Sequence, residues 1–192
     1  MIPPASLEAL PFVQAANWTP VKPPPKKRWV VIHAMEYPEK PDSAEWCARY
    51  FAGLVGPAPR CSAHACVDSD TIVQCVGWDQ VAWHAPGANR DGIGIEHAGY
   101  ARQGLADWQD TYSRQMLELS AWLVAQLCTR FRIPVEFSNA ADLRAGEAGI
   151  TTHAEVTLAW PDKGSHTDPG KGFPMGDYLR RVRHYALDVG GA

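Results

Sequence analysis

The sequence predicts an α/β fold with a single mixed central β-sheet and helices on its faces. Short β-branched apolar runs alternate with longer segments of helical periodicity, and two of the runs flank turn-forming residues as in a hairpin. The 192 residues, of which 46% are hydrophobic, suffice for one buried core. We therefore expect a single globular domain.

The first 27 residues differ from the rest in their proline content, which includes the run Pro23-Pro24-Pro25. Proline fixes the backbone φ angle and removes an amide donor, so this segment is expected to be extended and irregular. The predicted organisation is a Pro-rich N-terminal arm over residues 1–27 and a globular domain over residues 28–192.

The first two elements of the domain are a strand and a helix. Residues 29–33 are short, β-branched and apolar on both faces, which predicts a central strand. Asp42 can accept hydrogen bonds from the first-turn amides of a helix, with Glu45 three positions later. Apolar residues then follow at helical spacing: Cys47, Tyr50, Phe51 and Leu54.

A hairpin and another strand come next. Residues 62–67 and 71–76 flank Asp68-Ser69-Asp70, whose side chains favour turns. Residues 93–98 predict a strand whose side chains alternate between two faces. Gly94, Glu96 and Ala98 would share one face, and Ile93, Ile95 and His97 the other.

The last part of the chain is mainly helical. Residues 111–130 carry an apolar stripe at helical spacing, and Pro134 bars its continuation. A short strand over residues 150–153 and a closing helix over residues 176–188 complete the pattern.

Composition excludes several partners. The net charge of −3 and the pI near 6.1 lack the basic surface that nucleic acids require. No run approaches the roughly 20 apolar residues of a membrane span, and the N-terminus lacks a signal-peptide pattern. The five cysteines include no CxxC pair, which favours synthesis in the cytosol with reduced thiols over a disulfide framework. A Cys66–Cys75 disulfide is the minor alternative. We expect a monomer.

Two histidines and one loop suggest a metal site. His33 and His153 end strand-like segments, whose side chains can converge beside the sheet. His166 and Asp168 follow in a turn-rich loop. Two histidines and a carboxylate would leave one tetrahedral position of zinc open, as catalysis requires. The spacing leaves open an ordinary buried role for each histidine, and an exchange of the ligand roles of His166 and Asp168.

Glu96 is a carboxylate within an apolar run, so its burial must be compensated. One interpretation is a general base beside a metal, and the other is an exposed or arginine-paired glutamate at a strand end.

Six ordered segments over residues 29–188 resemble type-2 N-acetylmuramoyl-L-alanine amidases, which share a fold with peptidoglycan recognition proteins and bacteriophage amidase lysozymes. The segments are Val31-Ile32-His33, Ser62-Ala63-His64, Ala82-Trp83-His84-Ala85, Ile93-Gly94-Ile95-Glu96, Ile150-Thr151-Thr152-His153 and Thr167-Asp168-Pro169-Gly170.

The resemblance implies cleavage of peptidoglycan between N-acetylmuramic acid and L-alanine. It implies Zn²⁺ held by His33, His153 and Asp168, and proton transfer by Glu96. The family often has lysine where this chain has His166, placed to stabilise the oxyanion. An imidazole carries full charge only below its pKa, so this stabilisation would depend on pH.

Four further residues match groove positions of the family by their place in these segments: His64, Trp83, His84 and Asn89. Trp83 could equally belong to the core. His84 could instead support a metal ligand.

Residues 32–40 are most similar to amidase domains of endolysins from phages of actinobacteria. This similarity implies synthesis in the host cytoplasm without a signal peptide, and access to the cell wall after holin-dependent release. Two alternatives remain open: a non-catalytic peptidoglycan-binding domain, and a zinc peptidase that cuts within the stem peptide.

Overall fold

The computed structural model describes residues 3–189. Within this range the strands are β1 (Trp18–Thr19), β2 (Trp29–Ala34), β3 (Ala65–Val67), β4 (Ile72–Gln74), β5 (Val81–Ala82), β6 (Gly92–His97) and β7 (Gly149–Thr152). The α-helices are α1 (Ser43–Phe51), α2 (Thr111–Phe131), α3 (Ala140–Ala145), α4 (His153–Ala159) and α5 (Met175–Val189).

The main sheet has five strands in the order β4-β3-β6-β2-β7, and it confirms the predicted mixed α/β fold. Strand β2 is an interior strand, with β6 and β7 parallel to it on either side. Strand β3 runs parallel to β6, whereas β4 returns antiparallel to β3 as the predicted hairpin. Four parallel strands therefore end at one edge of the sheet, where a crevice for side chains forms.

Helices cover both faces of the sheet. One face, with Ile32 and Ile95, packs against α2 and α5 in the largest apolar cluster. The other face packs against α1 through Cys66, and against α4 through Val31. Because side chains alternate along a strand, every second residue of β2 and β6 faces α1 and α4. That face carries the candidate site.

Three sequence predictions need correction. Asp42 makes no side-chain hydrogen bond to the first turn of α1; Asp68 of the hairpin instead accepts from the Ala44 amide at 2.9 Å. His153 does not end β7 but begins α4, where the Thr152 side chain accepts from the Glu155 amide. In addition, α1 ends at Phe51, which leaves Leu54 67% exposed.

The N-terminal arm packs on the domain. Leu7 and Leu10 are buried in the main core, and the amides of Val13 and Ala15 donate to carbonyl groups of the hairpin region. Strand β1 pairs with β5 in a separate two-stranded sheet. The arm therefore supports the segment between β4 and β6.

Cys66 and Cys75 are neighbours without a bond. Their Sγ atoms lie 3.8 Å apart, and all five cysteines are free thiols. A search of the described helices found none with the length and apolarity needed to cross a membrane.

Candidate active site

Three elements bring the candidate residues together at the carboxyl edge of the sheet. His33 lies near the end of β2, and the register of the parallel ladder places it directly opposite Glu96 of β6. His153 follows β7 as the first residue of α4. Asp168 reaches the same point from the loop after α4, and its carbonyl oxygen accepts from the Ala154 amide at 3.0 Å. Residues far apart in sequence therefore meet in one crevice.

His33, His153 and Asp168 form a compact buried group. The Nδ1 atom of His33 lies 3.1 Å from Asp168 Oδ2, and the Nδ1 atom of His153 lies 3.1 Å from Asp168 Oδ1. One possible ligand atom from each residue lies within 4.8 Å of the other two. One ion could contact all three of these atoms. Two imidazoles and one carboxylate are a donor set that binds divalent metals such as zinc.

The charges of this group also suit a metal. Burial alone would raise the pKa of Asp168, but hydrogen bonds with His153 and His33 outweigh it and hold the pKa well below its usual range. Burial lowers the pKa of His33, and the Asp168 carboxylate opposes this only in part. A carboxylate and a neutral imidazole are the states in which these side chains bind metals.

Glu96 has an oxygen atom without a hydrogen-bond partner among residues 3–189. Its Oε2 atom is buried without one, and this orphaned acceptor lies on the same face of the sheet as His33. Desolvation raises the pKa of Glu96 well above its ordinary value, and the nearby charges of Asp168 and Glu36 add to the effect. A carboxylate with a raised pKa and a free oxygen is suited to accept and return a proton.

His166 lies beside the metal group rather than within it. Its ring stacks on that of His153 with centroids 4.0 Å apart, and its side chain is 57% exposed. The Nδ1 atom is 3.9 Å from Asp168 Oδ1. The imidazole can therefore reach a substrate that approaches from solvent.

The four predicted groove residues have different surroundings. His64 and His84 are buried at 0% and 7% exposure, and Asn89 accepts from the amides of His84 and Ala85. Trp83 is 42% exposed, and its indole N–H donates to Thr19 Oγ1 at 2.9 Å. Trp83 is therefore the accessible member of the set. His64, His84 and Asn89 instead contact other parts of the protein.

A groove of about 830 Å³ adjoins the site and has no counterpart in the sequence analysis. It begins at His166 and Thr167, and it runs along α4 towards Phe137 and Phe173. Arg102 and Lys171 contribute positive charge to its walls. The groove is built from segments that meet only in the folded chain, so local patterns gave no signal of it.

The fold and the site define an α/β protein with a candidate divalent-metal group beside an unpaired carboxylate, the arrangement of a metal-assisted hydrolase. The family model described as Amidase_2, N-acetylmuramoyl-L-alanine amidase, matches residues 22–171. The chain belongs to this family of enzymes. A comparison with curated proteins gave no match.

Solved structures share the fold. Staphylococcus aureus hydrolase AmiA in complex with its ligand is 14% identical with a TM-score of 0.68, over 99% of this chain and 87% of that one. A selenomethionine derivative of AmpD is 22% identical with a TM-score of 0.63, over 96% and 99%. A mutant endolysin from Bacillus subtilis is 18% identical with a TM-score of 0.56, over 90% and 99%. At these identities the likeness concerns the fold.

Proposed function

We propose that this enzyme hydrolyses the amide bond between N-acetylmuramic acid and L-alanine of peptidoglycan, with one zinc ion held by His33, His153 and Asp168. The observation that carries the proposal is the convergence of these three donors within 4.8 Å at the carboxyl edge of the sheet. Membership of the amidase family supports the substrate.

The residues around the metal group divide the chemistry between them. Bound zinc supplies a Lewis acid for the scissile carbonyl and lowers the pKa of the attacking water. Glu96 accepts the proton of that water on its free oxygen and later gives it to the departing amine of L-alanine. Proton transfer by a positioned carboxylate contributes about 10²- to 10⁴-fold to the rate.

His166 stabilises the charge that develops during the reaction. Its exposed ring, held against His153, donates a hydrogen bond to the oxygen on which negative charge develops. One donor of this kind contributes about 10²- to 10³-fold.

The groove beside His166 suits one arm of an extended substrate. Its walls combine apolar side chains with Arg102, Lys171 and Glu155, a mixture suited to a peptide that bears both apolar and charged groups. The exposed Trp83 ring offers a flat apolar surface on which a sugar can stack. The hydrogen bond to Thr19 holds the indole in one orientation.

The products separate this proposal from its alternatives. Purified peptidoglycan is treated with the zinc-loaded protein and the soluble products are analysed by mass spectrometry. We expect intact stem peptides with a free L-alanine amino terminus. Shortened peptides still attached to muramic acid would indicate a peptidase, and no release at stoichiometric zinc would indicate a binding domain.

We further propose that the protein is a phage or prophage endolysin. The similarity of residues 32–40 to endolysins of actinobacterial phages supports this role. In an actinobacterial host, expression of the protein alone is expected to leave cells intact, whereas coexpression with a holin lyses them. Intact cells under coexpression, with active enzyme in the extract, would contradict the endolysin role and leave the amidase proposal untouched.

A further inference from the structure

The side of the His33 ring that faces away from Asp168 meets a second buried imidazole. His33 Nε2 lies 3.0 Å from His84 Nδ1, and the two rings are nearly perpendicular, at 86°. We propose that His84 is a positioning residue that holds the ring of His33 and its proton arrangement in the metal-binding state. The inference rests on the proposed zinc site.

Zinc binding would set the proton arrangement of the two rings. The Nδ1 atom of His33 faces Asp168, so with zinc bound it would give its lone pair to the ion instead of a proton to the carboxylate. A neutral imidazole that binds through Nδ1 carries its proton on Nε2. That N–H then donates to His84 Nδ1. Metal-bound histidines usually donate their other ring N–H to such a partner, which fixes the orientation of the ring.

The acceptor role leaves His84 with its own proton on Nε2. This atom is buried and has no hydrogen-bond partner among the described residues. A buried N–H group without a partner lowers the stability of the fold. The contact of His84 Nδ1 with His33 therefore explains why an imidazole occupies this position.

Strand β6 is shaped to hold this ring. A Cβ atom on Gly94 would lie 2.5 Å from His84 Cγ and 2.7 Å from its Nδ1. A Cβ atom on Gly92 would lie 3.2 Å from His84 Cε1. The two glycines on the site-facing side of β6 therefore open the space in which the imidazole lies.

The segment that carries His84 is fixed at both ends. The buried Lys27 ammonium donates to the carbonyl oxygens of Gln80, Arg90 and Gly92. Within the segment, the Asn89 side chain accepts from the His84 amide at 2.9 Å. The ring is thus held in place before any metal binds.

Zinc affinity of purified variants tests the inference, measured by competition with a chromophoric chelator. His84→Ala removes the acceptor, and we expect zinc to bind about 10- to 100-fold more weakly. His84→Asn keeps an acceptor oxygen where Nδ1 lies, so its loss is expected to be smaller, at most about fivefold.

The matched control is His97→Asn. His97 is a buried histidine on the opposite face of β6, and it contacts the carbonyl group of His33 rather than its ring. This variant is expected to lose thermal stability and to keep the zinc affinity within about twofold. The unfolding midpoint of each metal-free variant shows which changes reflect the fold.

A second variant keeps the test decisive if His84→Ala folds poorly. Gly94→Ala displaces the ring without removing it, so it is expected to weaken zinc binding by itself. In the His84→Ala background the ring atoms at 2.5 and 2.7 Å are gone and only the Cβ atom of residue 84 remains close, at 2.9 Å, so the further loss is expected to be smaller than in wild type. Additive losses in the double variant would contradict the inference.

The outcomes distinguish the two proposals. If wild-type protein binds no zinc, the proposed function fails. If wild-type protein binds zinc and folded His84→Ala binds it within about twofold as tightly, the zinc site stands and the role of His84 is overturned.

Discussion

Glu96 and His97 are neighbours in β6 with opposite surroundings. Strand alternation directs Glu96 to the metal group, where its Oε2 atom has no partner. It directs His97 into the core, where the ring contacts the His33 carbonyl oxygen and the Ser120 hydroxyl group. The alternating pattern predicted this division of faces. The pattern could not give which of the two side chains lies near His153 and Asp168.

Glu96→Gln removes the proton acceptor while keeping the size of the side chain. We expect zinc binding and the unfolding midpoint to stay close to those of wild type. Turnover is expected to fall by about 10²- to 10⁴-fold, because the water and the leaving amine lose their proton carrier. The rate of L-alanine amino-terminus release measures this, and undiminished turnover would remove Glu96 from the mechanism.

Asp168 and His166 are separated by one residue and are expected to behave differently. Asp168→Ala removes the carboxylate that both Nδ1 atoms face, so zinc binding should be lost. His166→Ala removes an exposed ring outside the group, so zinc should remain while turnover falls by about 10²-fold. Parallel zinc titrations and rate measurements check this pair. Equal loss of zinc in both variants would refute the assignment.

At the scale of elements, the sequence predicted the longer ones well. Strand β2 and helix α2 were predicted because their apolar patterns are continuous and their ends are marked. The short helices α3 and α4 were missed, although both have capping signals: Asn139 with Asp142 in α3, and Thr152 with Glu155 in α4. The apolar run into His153 masked the start of α4.

His97 links β6 to α2 and α5 and should make this contact sensitive to acid. Its Nε2 atom lies 2.6 Å from Ser120 Oγ, which in turn lies 2.7 Å from the Tyr178 hydroxyl oxygen. Burial lowers the pKa of His97 from 6.5 to about 4. The folded chain therefore keeps the ring neutral at a pH where the unfolded chain protonates it.

The sign of the effect follows from this difference. The contribution of His97 is fully present above pH 6.5 and is lost as the pH falls towards 4, in total about 3 kcal/mol. Urea unfolding of metal-free wild type and His97→Asn between pH 7.5 and about 4.5 measures it. The variant should be less stable at neutral pH and should lose less on acidification. The same acid loss in both proteins would contradict this account of His97.

At the scale of the whole molecule, the candidate site depends on tertiary structure. His33 and Asp168 are 135 positions apart, and local spacing left the roles of His166 and Asp168 open. The resemblance to the amidase family assigned the ligand role to Asp168 and the oxyanion role to His166. The folded chain brings His33, His153 and Asp168 close enough to bind one ion. The groove arises from the packing of loops, so no pattern in the sequence indicated it. The resemblance left a supporting role for His84 open, and only the folded chain gives its partner as His33.

The most direct test of the central claim combines metal content with product analysis on one preparation. Wild-type protein is stripped of metal, titrated with zinc and given purified peptidoglycan at each step. One zinc ion per chain is expected to restore activity in proportion to occupancy, with intact stem peptides as the products. Full amide cleavage by the metal-free protein, or no zinc binding at saturation, would contradict it.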